Sequence, residues 1–159
     1  MAEVILRSLV AGAGLSDRVG VSSAGTGPWH EGEPMDPRAR EALAAAGYTD
    51  HGHIAHQFDP FSAGDLDLAV ALDRRHRQTL ESLAGHRLDG RLTLLRSFDA
   101  TAGGAVDVPD PYYGDTAEFA GCLRMIEAGC RGLAAALEDA LAAGGSLAGR
   151  RGPVAGDPG

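Results

Sequence analysis

Apolar residues recur along this chain in two rhythms. At Val4, Ile5, Leu9 and Val10 they fall near helical spacing, which predicts a helix over Ala2 to Gly14. No Ser, Thr or Asp precedes that helix to cap its first N–H groups. Val19 to Ser23 reads as a short strand, and Gly25 to Pro34 as a Gly- and Pro-rich loop. Asp36 is a helix cap with Pro37 at the first helical position, and Gly47 ends the helix that follows. Leu66 to Leu72 is apolar and alternating, as a buried strand should be. Asp73 to Ala84 is predicted as a helix with an Arg-rich outer face, and Arg91 to Leu95 as a third strand. Phe98 to Gly114 is a long loop, and loops of that length usually carry function. Asp115 or Thr116 caps a last helix running to about Ala143. Strand and helix alternate, so the expected class is α/β with a parallel sheet. A doubly wound fold normally places a strand before its first helix, with ligands at that strand's carboxyl end. The element order therefore points to a strand missing ahead of Ala2.

Composition narrows the classes. A chain of 159 residues supports one domain with a sizeable core. Residues 1–143 form that domain in this reading, and 144–159, rich in Gly, Pro, Ser and Arg, form a disordered tail. The net charge of -8 argues against a nucleic-acid surface. It leaves an anionic small site open, because amides and one Arg bind phosphate locally. No apolar run is long enough to enter and span a membrane, and no signal segment opens the chain, so a cytoplasmic location is expected. Cys122 and Cys130 lie in a helical stretch with no metal-binding spacing, and read as reduced, partly buried thiols. Neither sits in a Gly-rich turn with an Arg at the needed distance, so neither is a candidate nucleophile. All 14 basic residues are Arg, with no Lys and no Asn, the codon signature of a GC-rich genome. Alternative start codons are common there.

The densest chemistry lies in Asp107-Val-Pro-Asp110-Pro111-Tyr112-Tyr113-Gly114. Pro111 fixes its own φ and biases Asp110 toward an extended backbone. That arrangement can hold a carboxylate beside an aromatic wall, which suits a flat aromatic substrate and a leaving group that needs a proton. By itself the segment reads equally as a loop with two packing tyrosines. Far upstream lie Ser23-Ala-Gly-Thr-Gly-Pro-Trp29 and Asp36-Pro37-Arg38. In order and spacing, from Met1 to about Ala143, these three segments resemble the low-molecular-weight protein tyrosine phosphatases.

The resemblance implies a four-stranded parallel sheet of order 2-1-3-4, flanked by helices in three layers. It implies a phosphotyrosine protein or small aryl phosphate as substrate, and no metal or organic cofactor. Asp110 is then the general acid and base, Trp29, Tyr112 and Tyr113 the aromatic walls, and Ser23 a support for the phosphate loop. Asp107 becomes a neighbouring carboxylate, and Asp36 and Arg38 a helix start without direct chemistry. His53 is expected to be a buried structural histidine with Asp73 as partner, although His56 stands where the family often has Arg. Metal binding by His51, His53 and His56 is not expected, and Arg74, Arg75 and Arg77 read as a solvated face. The family opens with a strand and a C-x5-R-S/T-P loop, and neither is present before Met1. The expectation is therefore a chain that starts late and that, in this form, is inactive and folds poorly. Unpaired buried backbone groups cost roughly 1–3 kcal/mol each, against a domain stability of about 5–15 kcal/mol. Two rivals stand beside this reading: a non-catalytic remnant that binds a partner, and an arsenate reductase of the same fold.

Overall fold

A computed structural model describes residues 1–145. Four helices, α1 (Ala2–Gly12), α2 (Pro37–Ala45), α3 (Arg74–Ala84) and α4 (Thr116–Ala142), surround strands β1 (Ala69–Ala71) and β2 (Leu92–Leu94). The strands pair in parallel, Ala69 with Leu92, Val70 with Thr93 and Ala71 with Leu94, joined through α3. The class is α/β with a parallel sheet, as expected.

Helix α4 organises the core. Asp115 accepts from the N–H groups of Ala117 (2.8 Å) and Glu118 (3.1 Å), while Glu118 Oε2 accepts from the Asp115 N–H, completing a capping box. Its buried stripe, Phe119, Cys122, Leu123, Ile126, Cys130 and Leu133, recurs every three or four residues. Against it pack Ile5 of α1, Leu43 of α2 and the 3-10 turn Leu95–Phe98. That turn approaches closely because glycines face it. A Cβ on Gly132 would stand 1.9 Å from the Phe98 carbonyl oxygen, and one on Gly129 would stand 2.8 Å from Leu95 Cγ.

Successive residues around β1 serve opposite faces. Leu68, Val70 and Leu72 meet the α4 core, whereas Ala69 joins a small second core with Ala63, Ala84 and Leu88 on the α3 side. Helices thus cover both faces of the sheet.

Three expectations change. Val19 to Ser23 is not a strand, because among the described residues no neighbour supplies a ladder for it. Its carbonyls turn to side chains instead: the Arg7 guanidinium donates to the Val21 oxygen at 2.9 and 2.7 Å. The other two strands shorten, and Leu95 closes into the 3-10 turn rather than extending β2. The tail expectation falls, from residue 146 onward, outside the described residues.

Candidate active site

Two loops form the site. The first, Gly25 to Pro34, is clamped on residues 54–58 by backbone pairing: Gly25 N–H donates to the His56 oxygen and Phe58 N–H to the Gly25 oxygen, both at 2.8 Å. Gly32 N–H donates to the Ala55 oxygen at 2.8 Å and Ala55 N–H to the Glu33 oxygen at 2.9 Å. Trp29 packs against Gly27, where an added Cβ would stand 1.8 Å from the indole, so a side chain there would displace the ring. The ring is 78% exposed, an unusual position for the chain's only Trp unless it meets a partner.

The second loop is anchored at Val108, which is buried and donates its N–H to the Leu72 oxygen at the end of β1 (2.9 Å). Asp107 turns away from the cleft. Its Oδ1 accepts from the Arg74 N–H (2.9 Å) at the start of α3, and its Oδ2 pairs with Arg74 Nε (3.4 Å). Asp110 is exposed, and its Oδ1 accepts from the Tyr112 N–H at 3.0 Å. The Tyr112 and Tyr113 rings meet edge-on with centroids 5.1 Å apart.

Between the loops lies an open cleft of about 620 Å³ lined by Trp29, Asp110, Tyr112 and Tyr113, together with His30, His56 and His76. The sequence-derived acid and all three aromatics are therefore brought together. His30 joins the walls, its ring 5.9 Å from that of Tyr112. An aromatic substrate could lie between Trp29 and the tyrosines with the Asp110 carboxyl beside its leaving oxygen.

Ser23 does not line this cleft. Its hydroxyl donates to Glu3 Oε2 at 2.5 Å, the same oxygen that His53 Nδ1 meets at 3.2 Å. Glu3 also pairs with Arg7 at 2.9 Å. The expected partner of His53 was Asp73, but Asp73 caps α3, accepting from the His76 N–H at 2.6 Å. Local spacing gave no sign that Glu3 meets Ser23 and His53, because those contacts lie far away in sequence. Arg74, Arg75 and Arg77 are exposed, as expected of a solvated face, and Arg74 also pairs with Asp107. The three histidines of residues 51–56 do not converge: His53 faces Glu3 while His56 lines the cleft.

Cys122 and Cys130 are buried within α4, deeper than expected. Burial pushes their thiols up, to about 11 and about 12 respectively. A nucleophilic cysteine needs the thiolate, which burial disfavours at both positions. Among the described residues no helix is long and apolar enough to cross a membrane.

Residues 1–143 match the family described as low molecular weight phosphotyrosine protein phosphatase. The chain belongs to that family. Among relatives of this phosphatase-family chain is the low molecular weight protein-tyrosine-phosphatase of Streptomyces coelicolor. It is 49% identical over 141 residues, covering 87% of this chain and 85% of the relative. The backbone of the present chain is similar to the solved structures of YfkJ from Bacillus subtilis and of an Entamoeba histolytica protein tyrosine phosphatase. The first is 32% identical with TM-score 0.78, covering 87% of this chain and 85% of YfkJ. The second is 25% identical with TM-score 0.81, covering 87% of each chain.

Proposed function

We propose that this phosphatase-family protein hydrolyses phosphotyrosine, or a small aryl phosphate, through a cysteinyl-phosphate. One observation carries the reading: Asp110, Trp29, Tyr112 and Tyr113 line a single open cleft. A phenolate leaves poorly, since tyrosine titrates near about 10. In this mechanism the Asp110 carboxyl protonates the phenolic oxygen as the phosphoryl group passes to a Cys thiolate. The resulting Asp110 carboxylate then takes a proton from the water that cleaves the thiophosphate. Trp29 and the tyrosines hold the ring on either side, and Ser23 supports the phosphate loop through its neighbours.

The nucleophile and the phosphate-binding Arg are assigned to a C-x5-R-S/T segment N-terminal to Met1. Buried Cys122 and Cys130 support that assignment, as does β1, which pairs along one edge only among the described residues. Such a loop would run into the first turn of α1, which has no side-chain cap and whose N–H groups suit phosphate. We place the protein in the cytoplasm, with phosphoproteins or small aryl phosphates rather than nucleic acid as its targets.

The test has two parts. In-frame translation of the DNA upstream of codon 1 should give an apolar strand followed by C-x5-R-S/T-P. In the protein carrying it, Asp110→Asn should lower kcat on phosphotyrosine by at least about 100-fold, a usual scale for a lost general acid. Unchanged turnover would remove Asp110 from the chemistry.

A further inference from the structure

The loop bearing Asp110 has apolar anchors at its ends, Val108 and Phe119, and little between them. One side chain from elsewhere spans that gap. Arg38, in the first turn of α2, donates from Nη1 to the carbonyl of Gly114 at 3.1 Å, across 76 residues of sequence. Its guanidinium carbon lies 4.6 Å from the centre of the Phe119 ring and 5.8 Å from that of Tyr112. The other edge of the guanidinium is fixed by Asp36, through Nε to Oδ1 at 3.1 Å and Nη2 to Oδ2 at 2.8 Å. Asp36 is itself held as the cap of α2, accepting from the Arg38 N–H at 2.8 Å.

The contacts continue toward the acid. Tyr112, beneath the guanidinium, donates its N–H to Asp110 Oδ1 at 3.0 Å. Gly114, whose carbonyl Arg38 holds, donates its N–H to the Pro111 oxygen at 2.8 Å and so closes the turn around Tyr112. We infer that Arg38 is a positioning residue: it clasps the acid loop to α2 and fixes the Tyr112 ring and the Asp110 carboxylate together. The inference rests on the general-acid reading of Asp110. Arg suits the task because its planar fork can bind a carboxylate with one edge, a carbonyl with another, and stack on rings with its face. A Lys ammonium retains the charge but cannot make all three contacts. If Arg38 served only to complete the α2 cap, the acid loop would not respond to its loss.

Hydrogen exchange and leaving-group dependence separate these roles. In the chain as described, Arg38→Lys and Arg38→Ala should each speed exchange of the Tyr112 and Gly114 amides by at least about tenfold, with α4 beyond Ile126 unchanged. Unchanged exchange in the Lys variant overturns the clasp, and Lys serves if Ala does not fold. In the protein carrying the upstream phosphate loop, Arg38→Lys should lower kcat/KM, which reports only the steps up to leaving-group departure, about tenfold on phenyl phosphate, whose leaving group needs a proton. It should lower kcat/KM much less on 2,4-dinitrophenyl phosphate, which leaves unaided. Equal losses of kcat/KM on both substrates overturn positioning of the acid. A parent enzyme with no turnover at all sinks the phosphatase reading and the catalytic half of this inference, while the exchange result still decides the clasp.

Discussion

Asp99 shows how one buried carboxylate can be kept charged. It is 8% exposed, and burial alone would push its carboxyl up. The Thr101 hydroxyl (2.6 Å) and N–H (2.8 Å), with Arg96 at 3.3 Å, outweigh that and hold it below its ordinary value. Asp36 is also held low, chiefly by the Arg38 side chain. A carboxyl lowered in the folded state contributes stability above its unfolded value, about 4. That contribution is lost as pH falls below it, toward the depressed folded value. Asp99→Asn should therefore melt below the parent at pH 7, with the gap narrowing between pH 4 and pH 3 in thermal scans. The two thiols offer a second check at this scale. With thiol values raised to about 11 and about 12, Cys122 and Cys130 should resist iodoacetamide at pH 8 while the chain is folded and react once guanidinium unfolds it. Mass spectrometry counts the labels. Rapid labelling of the folded chain would mean that α4 opens far more often than its packing implies.

Among the elements, α4 allows a matched pair of substitutions. Gly132→Ala drives a methyl into the Phe98 carbonyl and should cost at least about 1–3 kcal/mol in urea unfolding, the scale of overpacking. Gly121→Ala meets nothing nearer than Arg124 Nη2 at 3.8 Å and should stabilise by roughly 0.5–1 kcal/mol through helix propensity. Elements whose rules are local could be read from sequence: the Asp36-Pro37 start of α2, the Asp115 cap of α4 and the rigid Asp110-Pro111 corner. That Asp110, Trp29, Tyr112 and Tyr113 belong together was legible for the same reason, as short motifs in register with a family, and the four line one cleft. Val19–Ser23 was misread because a strand exists only with a partner, and pairing is non-local. Glu3 with Ser23 and His53, and Arg38 with Gly114, escaped notice because each contact joins residues that no spacing rule connects.

For the whole molecule, two unequal cores set the order of opening. The large one gathers α1, α2 and α4, with Ile5, Leu43, Leu95, Ile126 and Leu133 all fully enclosed. The small one rests on Ala63, Ala69, Ala84 and Leu88 under α3, and alanines bury little area. Native-state hydrogen exchange should therefore show α3 and the turn Gly85–Leu88 opening at lower free energy than α4. Equal protection would mean the two cores unfold as one unit. Helix α4 matters in another way during synthesis. It is the last described element made, yet it supplies seven of the fifteen buried residues of the large core. Until it leaves the ribosome, α1, α2 and the Leu95–Phe98 turn lack their largest packing partner. Their apolar faces must wait in the open, where they can be captured by chaperones or by neighbouring nascent chains.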